Sequence, residues 1–264
     1  MPLRIGFDMD GVLADFASAF LEIETRLLGP DAHISADRPE VEEERESAGS
    51  RQQAAGSENE AGSRQQAAGS ETEDTKEDTK TDGNTEAEGP SPRELRRQRD
   101  AIWNAIRTTP GFWEGLKPIE EGAVRRIHEM MLRHRWEVFF ITQRPATDGD
   151  TVQRQTQHWL VEQGFDLPSV LVLGGSRGAA AGALRLDYHV DDSPQNCLDV
   201  IAESSVKPIL IAPDADDKIV ASARKLGIGS ARSISVCLDI LEEATTVRAE
   251  PRLLARIAAL VGWK

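Results

Sequence analysis

The chain has 264 residues, 39% of them hydrophobic and 29% charged, with a formal net charge of −14. Acidity on this scale, without a clustered basic stripe, argues against a nucleic-acid binder, and no apolar run approaches the ~18 residues of a membrane span. Cys197 and Cys237 are the only cysteines. They are too few for a disulfide framework and lack metal-ligand spacing, so a reducing cytosol is the expected compartment.

The chain enters a strand at once, with no signal-peptide pattern before it. Residues 3–7 are an apolar run of strand length that ends in Asp8 and Asp10, with Gly11 immediately after. Strand periodicity puts both carboxylates on one face, where the strand gives way to a loop. Two carboxylates held that close repel and raise one another's pKa, unless a cation sits between them or one stays protonated. A hard divalent ion with oxygen ligands meets that need, and magnesium is the commonest at phosphate sites. A calcium loop does not fit, because Leu13 and Ala14 stand where further oxygen ligands and a polar loop are required.

Phe16, Ala19, Phe20, Ile23 and Leu27 then recur at helical spacing, predicting a helix over 14–28 that Gly29-Pro30 stops. Residues 36–91 contain no aromatic residue, and Val41 is their only large aliphatic one. This stretch holds 16 acidic and 6 basic residues, and its segment 48–58 recurs unchanged as 61–71. Nothing in it can build a core, so it reads as a disordered acidic insert with a tandem duplication, and most of the net charge resides there.

Order is predicted to return at Ser91-Pro92, a serine cap with proline at the first helical position. The helix so opened carries Leu95, Ile102, Trp103 and Ile106 and ends before residues 108–111; Arg93, Arg96, Arg97 and Arg99 form a solvated face. Residues 112–118 are a loop in which Phe112 and Trp113 stand side by side, as core by default. A helix over 120–134 leads to a buried strand over 136–141 that ends in Thr142-Gln143-Arg144-Pro145. Next come a helix over 150–163, a strand over 169–173, a glycine-rich loop over 174–178 and an alanine-rich helix over 179–184. A short strand follows and ends in Asp191-Asp192, with Asp192 or Ser193 capping a helix that starts at Pro194. A strand over 208–212 and a helix over 234–243 close the pattern. Asp8/Asp10, Thr142, Arg177 and Asp191/Asp192 all fall at or just beyond the ends of predicted strands, where an α/β sheet places its ligands.

The stretch Asp8-Met9-Asp10-Gly11-Val12-Leu13-Ala14-Asp15-Phe16 closely resembles the first motif of the haloacid dehalogenase (HAD) superfamily of phosphatases, in the form used by its 5'(3')-deoxyribonucleotidase-like branch. The resemblance continues, in order, to Asn196. It implies that Asp8 is the nucleophile that becomes phosphorylated and that Asp10 is the general acid/base. Thr142 matches the hydroxyl residue that ends the second motif and binds the transferring phosphoryl group. Backbone amides after Asp8, that of Gly11 among them, assist it, and Arg144 either reaches the phosphate or holds the loop. The family places a lysine near the third motif, but no lysine lies between Lys117 and Lys207 here. Arg177 is the nearest equivalent by position and Arg154 the second, and arginine is not an innocent replacement for lysine. Asp191 and Asp192 correspond to the fourth motif, completing a Mg2+ site with Asp8 and the backbone carbonyl of Asp10. Phe16, Phe112 and Trp113 are the candidates for lining the pocket for the substrate's base.

The fold implied is α/β, a HAD-like doubly wound parallel sheet with a small helical cap inserted after the first strand. Its core would comprise 1–13 and 110–264, its cap 14–35 and 92–109, and the acidic insert 36–91. The activity implied is a Mg2+-dependent phosphomonoester hydrolase with an aspartyl-phosphate intermediate, a cytoplasmic 5'-nucleotidase on (deoxy)ribonucleoside monophosphates, and a homodimer is allowed. The alternatives are a HAD phosphatase on a sugar phosphate or other small phosphoester, or a non-catalytic interaction module whose insert is the working part. Retention of both Asp8 and Asp10 argues against the last.

Overall fold

The computed structural model describes residues 2–34, 91–215 and 217–248. The insert expected over 36–91 lies, Ser91 apart, outside them. By compactness the chain divides into two units, Met1–Pro30 with Ile102–Lys264, and Asp31–Ala101.

The strands are β1 (Arg4–Asp8), β2 (Glu137–Thr142), β3 (Val170–Val172), β4 (Tyr188–Asp191), β5 (Lys207–Ile211) and β6 (Gly229–Ala231). The described helices are α1 (Phe16–Leu28), α2 (Pro92–Arg107), α3 (Ala123–His134), α4 (Val152–Glu162), α5 (Arg177–Ala183), α6 (Pro194–Glu203), α7 (Asp217–Lys225) and α8 (Ile234–Arg248). All strand pairs are parallel, in the order β3-β2-β1-β4-β5-β6. The central strands read as near-continuous apolar runs because a parallel sheet with helices on both faces hides both sets of side chains. In β2, Phe140 packs with Phe7 and with Phe165 at centroid distances of 6.3 and 4.8 Å on one face. The next residue, Ile141, points the other way, into a cluster with Ala181, Leu186, Val200 and Val206 under α5 and α6. On the Phe140 side α8 packs against α3, joined by the Trp136 Nε1–H donated to Thr245 Oγ1 at 2.8 Å. The sheet is therefore doubly wound, as the sequence pattern predicts.

From β1 the chain moves outward to β2 and β3, then returns to lay β4 on the opposite side of β1. This reversal makes the crevice between β1 and β4 the topological switch point, the place where such sheets take ligands. Among the described residues no helix is long and apolar enough to cross a membrane.

Three expectations need correction. The glycine-rich loop is shorter than its composition suggests, because Ser176 caps a helix that already begins at Arg177; its Oγ accepts from the amides of Gly178 and Ala179 at 3.0 and 3.3 Å. The sequence reading also passes over α7 and β6. Gly-Ser-Ala carries no strand propensity, and β6 exists through its pairing with β5, with Leu210 opposite Ser230. Finally, α1 and α3 start at Phe16 and Ala123, later than expected, after their preceding loops.

Candidate active site

The parallel register sets the site. Phe7 pairs with Val190 and Asp8 with Ile141. One further step therefore brings Asp191 beside Asp8 at the end of β4 and Thr142 just past it at the end of β2. Asp8, Thr142 and Asp191 are all buried there. Each offers an oxygen to the same crevice although no two are neighbours in sequence.

Arg177, buried in the first turn of α5, donates from Nη2 to Asp8 Oδ1. Its Nε lies 3.7 Å from Asp191 Oδ2. Gly178 makes this reach possible: a Cβ there would stand 2.2 Å from the Asp199 carbonyl oxygen, so only glycine lets α5 settle so closely on α6. Of the two arginines considered for the third motif, Arg177 occupies the site. Arg154 instead pairs at 2.6 Å with Asp150 on the exposed side of α4.

Asp191 is held by its surroundings. Its oxygens accept from Ser193 N at 2.9 Å, from Asn196 Nδ2 at 3.0 and 3.1 Å, and face His189 Nε2 at 3.0 Å. Burial works to raise its pKa, but the His189 contact, Arg177 and the Ser193 amide outweigh it and keep the carboxyl below its ordinary value. Asp192 faces solvent and has fewer partners; burial of part of its carboxyl and then the Asp191 charge push it up to about 6. Burial raises Asp8 well above its ordinary value too; Arg177 lowers it, and Asp191, Asp10 and Asp192 raise it further.

Among the described residues, Asp8, Asp191 and Asp192 each offer a carboxylate oxygen, and these atoms lie within 4.8 Å of one another. Oxygen-only donors from three carboxylates, against the single Arg177 guanidinium, fit a hard divalent ion such as Mg2+. The Asp10 carboxylate does not join this trio. Gly11, at φ +79°, makes the loop turn, and a Cβ on it would lie 1.9 Å from Asp192 Oδ2. The Gly11 amide donates to the Ala14 carbonyl at 3.1 Å, so in this structure it shapes the loop instead of facing the crevice.

Three buried donors near Asp8 have no hydrogen-bond partner: Thr142 Oγ1 and Arg177 Nε and Nη1. A buried polar group left unpaired costs ~1–3 kcal/mol, which folded proteins rarely tolerate without a reason such as a ligand. Hydroxyl and guanidinium donors beside a cluster of carboxylates form a place for an anion that arrives with a cation.

The second aspartate is held separately. Arg144 donates from Nε to Asp10 Oδ1 and Oδ2 at 3.1 and 3.0 Å, and from Nη2 to Oδ1 at 2.7 Å. Trp113 is buried, with its ring 4.8 Å from the Arg144 guanidinium carbon. Phe112 is buried as well, whereas Phe16 is only half-buried, within 6.4 Å of Phe112 and 5.6 Å of Trp103. Of the three aromatic candidates, Phe16 keeps the most open surface.

The sequence reading missed His189 and Thr156 as members of the site. His189 lies between Tyr188 and Val190 in a strand buried along its whole length, and an imidazole two residues before Asp191 was the available signal.

No family model matches the chain, and no curated protein matches it. Among solved structures it is similar to a candidate β-phosphoglucomutase from Thermotoga maritima, at 16% identity over 91% of this chain and 99% of that one, with a TM-score of 0.45. It is also similar to a HAD hydrolase of family IA, variant 3, from Entamoeba histolytica, at 13% identity over 89% and 94%, with a TM-score of 0.43. A 2-haloacid dehalogenase from Pseudomonas syringae matches at 14% over 92% and 99%, with a TM-score of 0.37. Likenesses this weak carry no argument about activity, and the fold stands on its own sheet order and register.

Proposed function

We propose that the chain is a phosphomonoester hydrolase of the haloacid dehalogenase type that works through a phosphoryl group carried on Asp8. The observation that carries this reading is the set of buried donors without a hydrogen-bond partner, Thr142 Oγ1 and Arg177 Nε and Nη1, gathered around a carboxylate at the sheet's switch point. The order of the four motifs along the chain and their common position at strand ends support it.

Asp8, Asp191, Asp192 and the Asp10 carbonyl would hold Mg2+, which when bound neutralises phosphate charge and lets an anionic nucleophile approach an anionic ester. Asp8 attacks phosphorus in line, forming an aspartyl P–O bond as the ester P–O bond breaks. The Thr142 hydroxyl and Arg177 guanidinium stabilise the equatorial oxygens as charge develops. Asp10 acts as the general acid, passing a proton to the departing oxygen. Water then attacks the aspartyl phosphate and loses its proton to Asp10, which frees phosphate and regenerates Asp8.

The substrate class we propose is a (deoxy)ribonucleoside monophosphate. Its support is Phe16, a half-buried ring beside Phe112 and close to the loop that carries Asp10, suited to stacking on a base. A panel of purine and pyrimidine nucleoside monophosphates against sugar phosphates, scored by kcat/KM, tests it. Preference for nucleotides that falls on Phe16→Ala is the expected result. Equal or better turnover of sugar phosphates, unaffected by that change, would overturn the nucleotide assignment.

A further inference from the structure

Asp10 must both give and take a proton in the reaction, so its orientation matters more than that of any residue except the nucleophile, and that orientation is set from outside its own loop. Arg144, 134 residues away, presents Nε and Nη2 to the Asp10 carboxylate, with its own side chain 0% exposed and that of Asp10 24% exposed. A bidentate grip fixes the plane of a carboxylate as well as its distance. The guanidinium has little freedom left. Its Nη1 donates to Thr156 Oγ1 at 3.0 Å, and that hydroxyl donates its own proton to the Val152 carbonyl at 2.8 Å, so Thr156 can only accept from the arginine. The Trp113 ring lies across the guanidinium at 4.8 Å, and its Nε1–H is donated to the Pro145 carbonyl at 3.0 Å. Pro145 restrains the Arg144 backbone to extended conformations. Three of the five guanidinium N–H groups are thus engaged, with Asp10 and Thr156 as their partners.

We infer that Arg144 is a positioning residue for the proton-transfer step, fixing Asp10 through a Trp113–Arg144–Thr156 brace, and that it neither binds the phosphate nor merely holds its loop. The inference rests on the phosphatase reading of the site.

The test compares kcat/KM for a simple alkyl phosphate and for p-nitrophenyl phosphate, whose leaving group departs with little help from an acid. General acid catalysis is worth ~10²–10⁴-fold where it is needed. Arg144→Met therefore lowers kcat/KM on the alkyl ester by about 10²-fold and on the aryl ester by less than about tenfold, while inhibition by inorganic phosphate changes by no more than about twofold. Thr156→Val, which removes the Nη1 acceptor and leaves the Asp10 pair in place, shows the same bias at smaller size and serves if Arg144→Met does not fold. Equal losses on both esters in the variants, or weakened inhibition by phosphate, would overturn the inference while leaving the proposed function standing. A wild-type protein that releases phosphate from neither ester and from no nucleoside monophosphate removes both.

Discussion

Asp8 and Arg177, 169 residues apart in sequence, form a buried ion pair at the sheet's switch point, with Asp191 Oδ2 3.7 Å from Nε of the same guanidinium. In the proposed reading, Arg177 supplies there the positive charge that the resembled family takes from lysine. Two of its nitrogens, Nε and Nη1, remain unpaired by hydrogen bonds. Arg177→Lys accordingly retains kcat within about tenfold, whereas Arg177→Met loses about 10²-fold or more, the size seen when one transition-state donor is removed. Steady-state kinetics of the two variants checks this; equal losses would mean that charge is not what Arg177 contributes.

Thr142 opposes stability to function. Its buried hydroxyl has no hydrogen-bond partner in the ligand-free fold. Thr142→Val replaces it with a methyl of the same shape and is expected to raise stability by ~1 kcal/mol. Turnover falls at the same time. Denaturant unfolding together with kcat/KM measures both, and a variant that is less stable would show that the hydroxyl has a structural partner.

In the proposed reading, the acidic trio would make Mg2+ binding depend on pH. Asp192 is pushed up to about 6 by burial and the Asp191 charge, and burial raises Asp8 as well. Without metal the folded state thus holds more protons than the unfolded chain, whose carboxyls titrate near ~4. Stability from Asp192 is present below that value and is lost as pH rises through about 6, and the contribution of Asp8 is lost in the same direction. Mg2+ reverses this by displacing the protons, so its thermal stabilisation is larger at about pH 7.5 than at about pH 5. Melting curves with and without Mg2+ at the two pH values decide it; an equal shift at both would remove Asp192 from the ligand set.

Gly11 connects the loop to this trio. A side chain there would be strained at φ +79° and would meet Asp192 Oδ2 at 1.9 Å. Left-handed backbone costs an L-residue roughly 1–2 kcal/mol. Gly11→Ala is therefore expected to lose that much stability and most of its Mg2+-induced thermal shift, because Asp192 must move. A normal Mg2+ shift would contradict the geometry.

Much of this was legible in the sequence. The apolar runs of β1, β2, β4 and β5 marked themselves, and Ser193-Pro194 announced α6, whose cap is indeed the Ser193 hydroxyl accepting from Asn196 N. The carboxylates at strand ends followed from those strands. What stayed hidden depends on contacts between distant segments. Gly-Ser-Ala becomes β6 only by pairing with β5, and Arg177 enters a helix because Ser176 caps it. The closure of Arg144 on Asp10 joins the second motif to the first, and no local pattern encodes the direction of that side chain. Trp113 reads as core by default and as a substrate platform only through the resemblance; in the fold it is buried with its ring against Arg144.

The most direct test of the central claim is phosphate release by purified wild-type protein and by Asp8→Asn, each with Mg2+ and with chelator, alongside a circular dichroism melt of both. The account predicts Mg2+-dependent release from the wild type and none from an Asp8→Asn protein that is still folded. Appreciable release by folded Asp8→Asn would contradict it, because the phosphoryl group would then have a carrier other than Asp8.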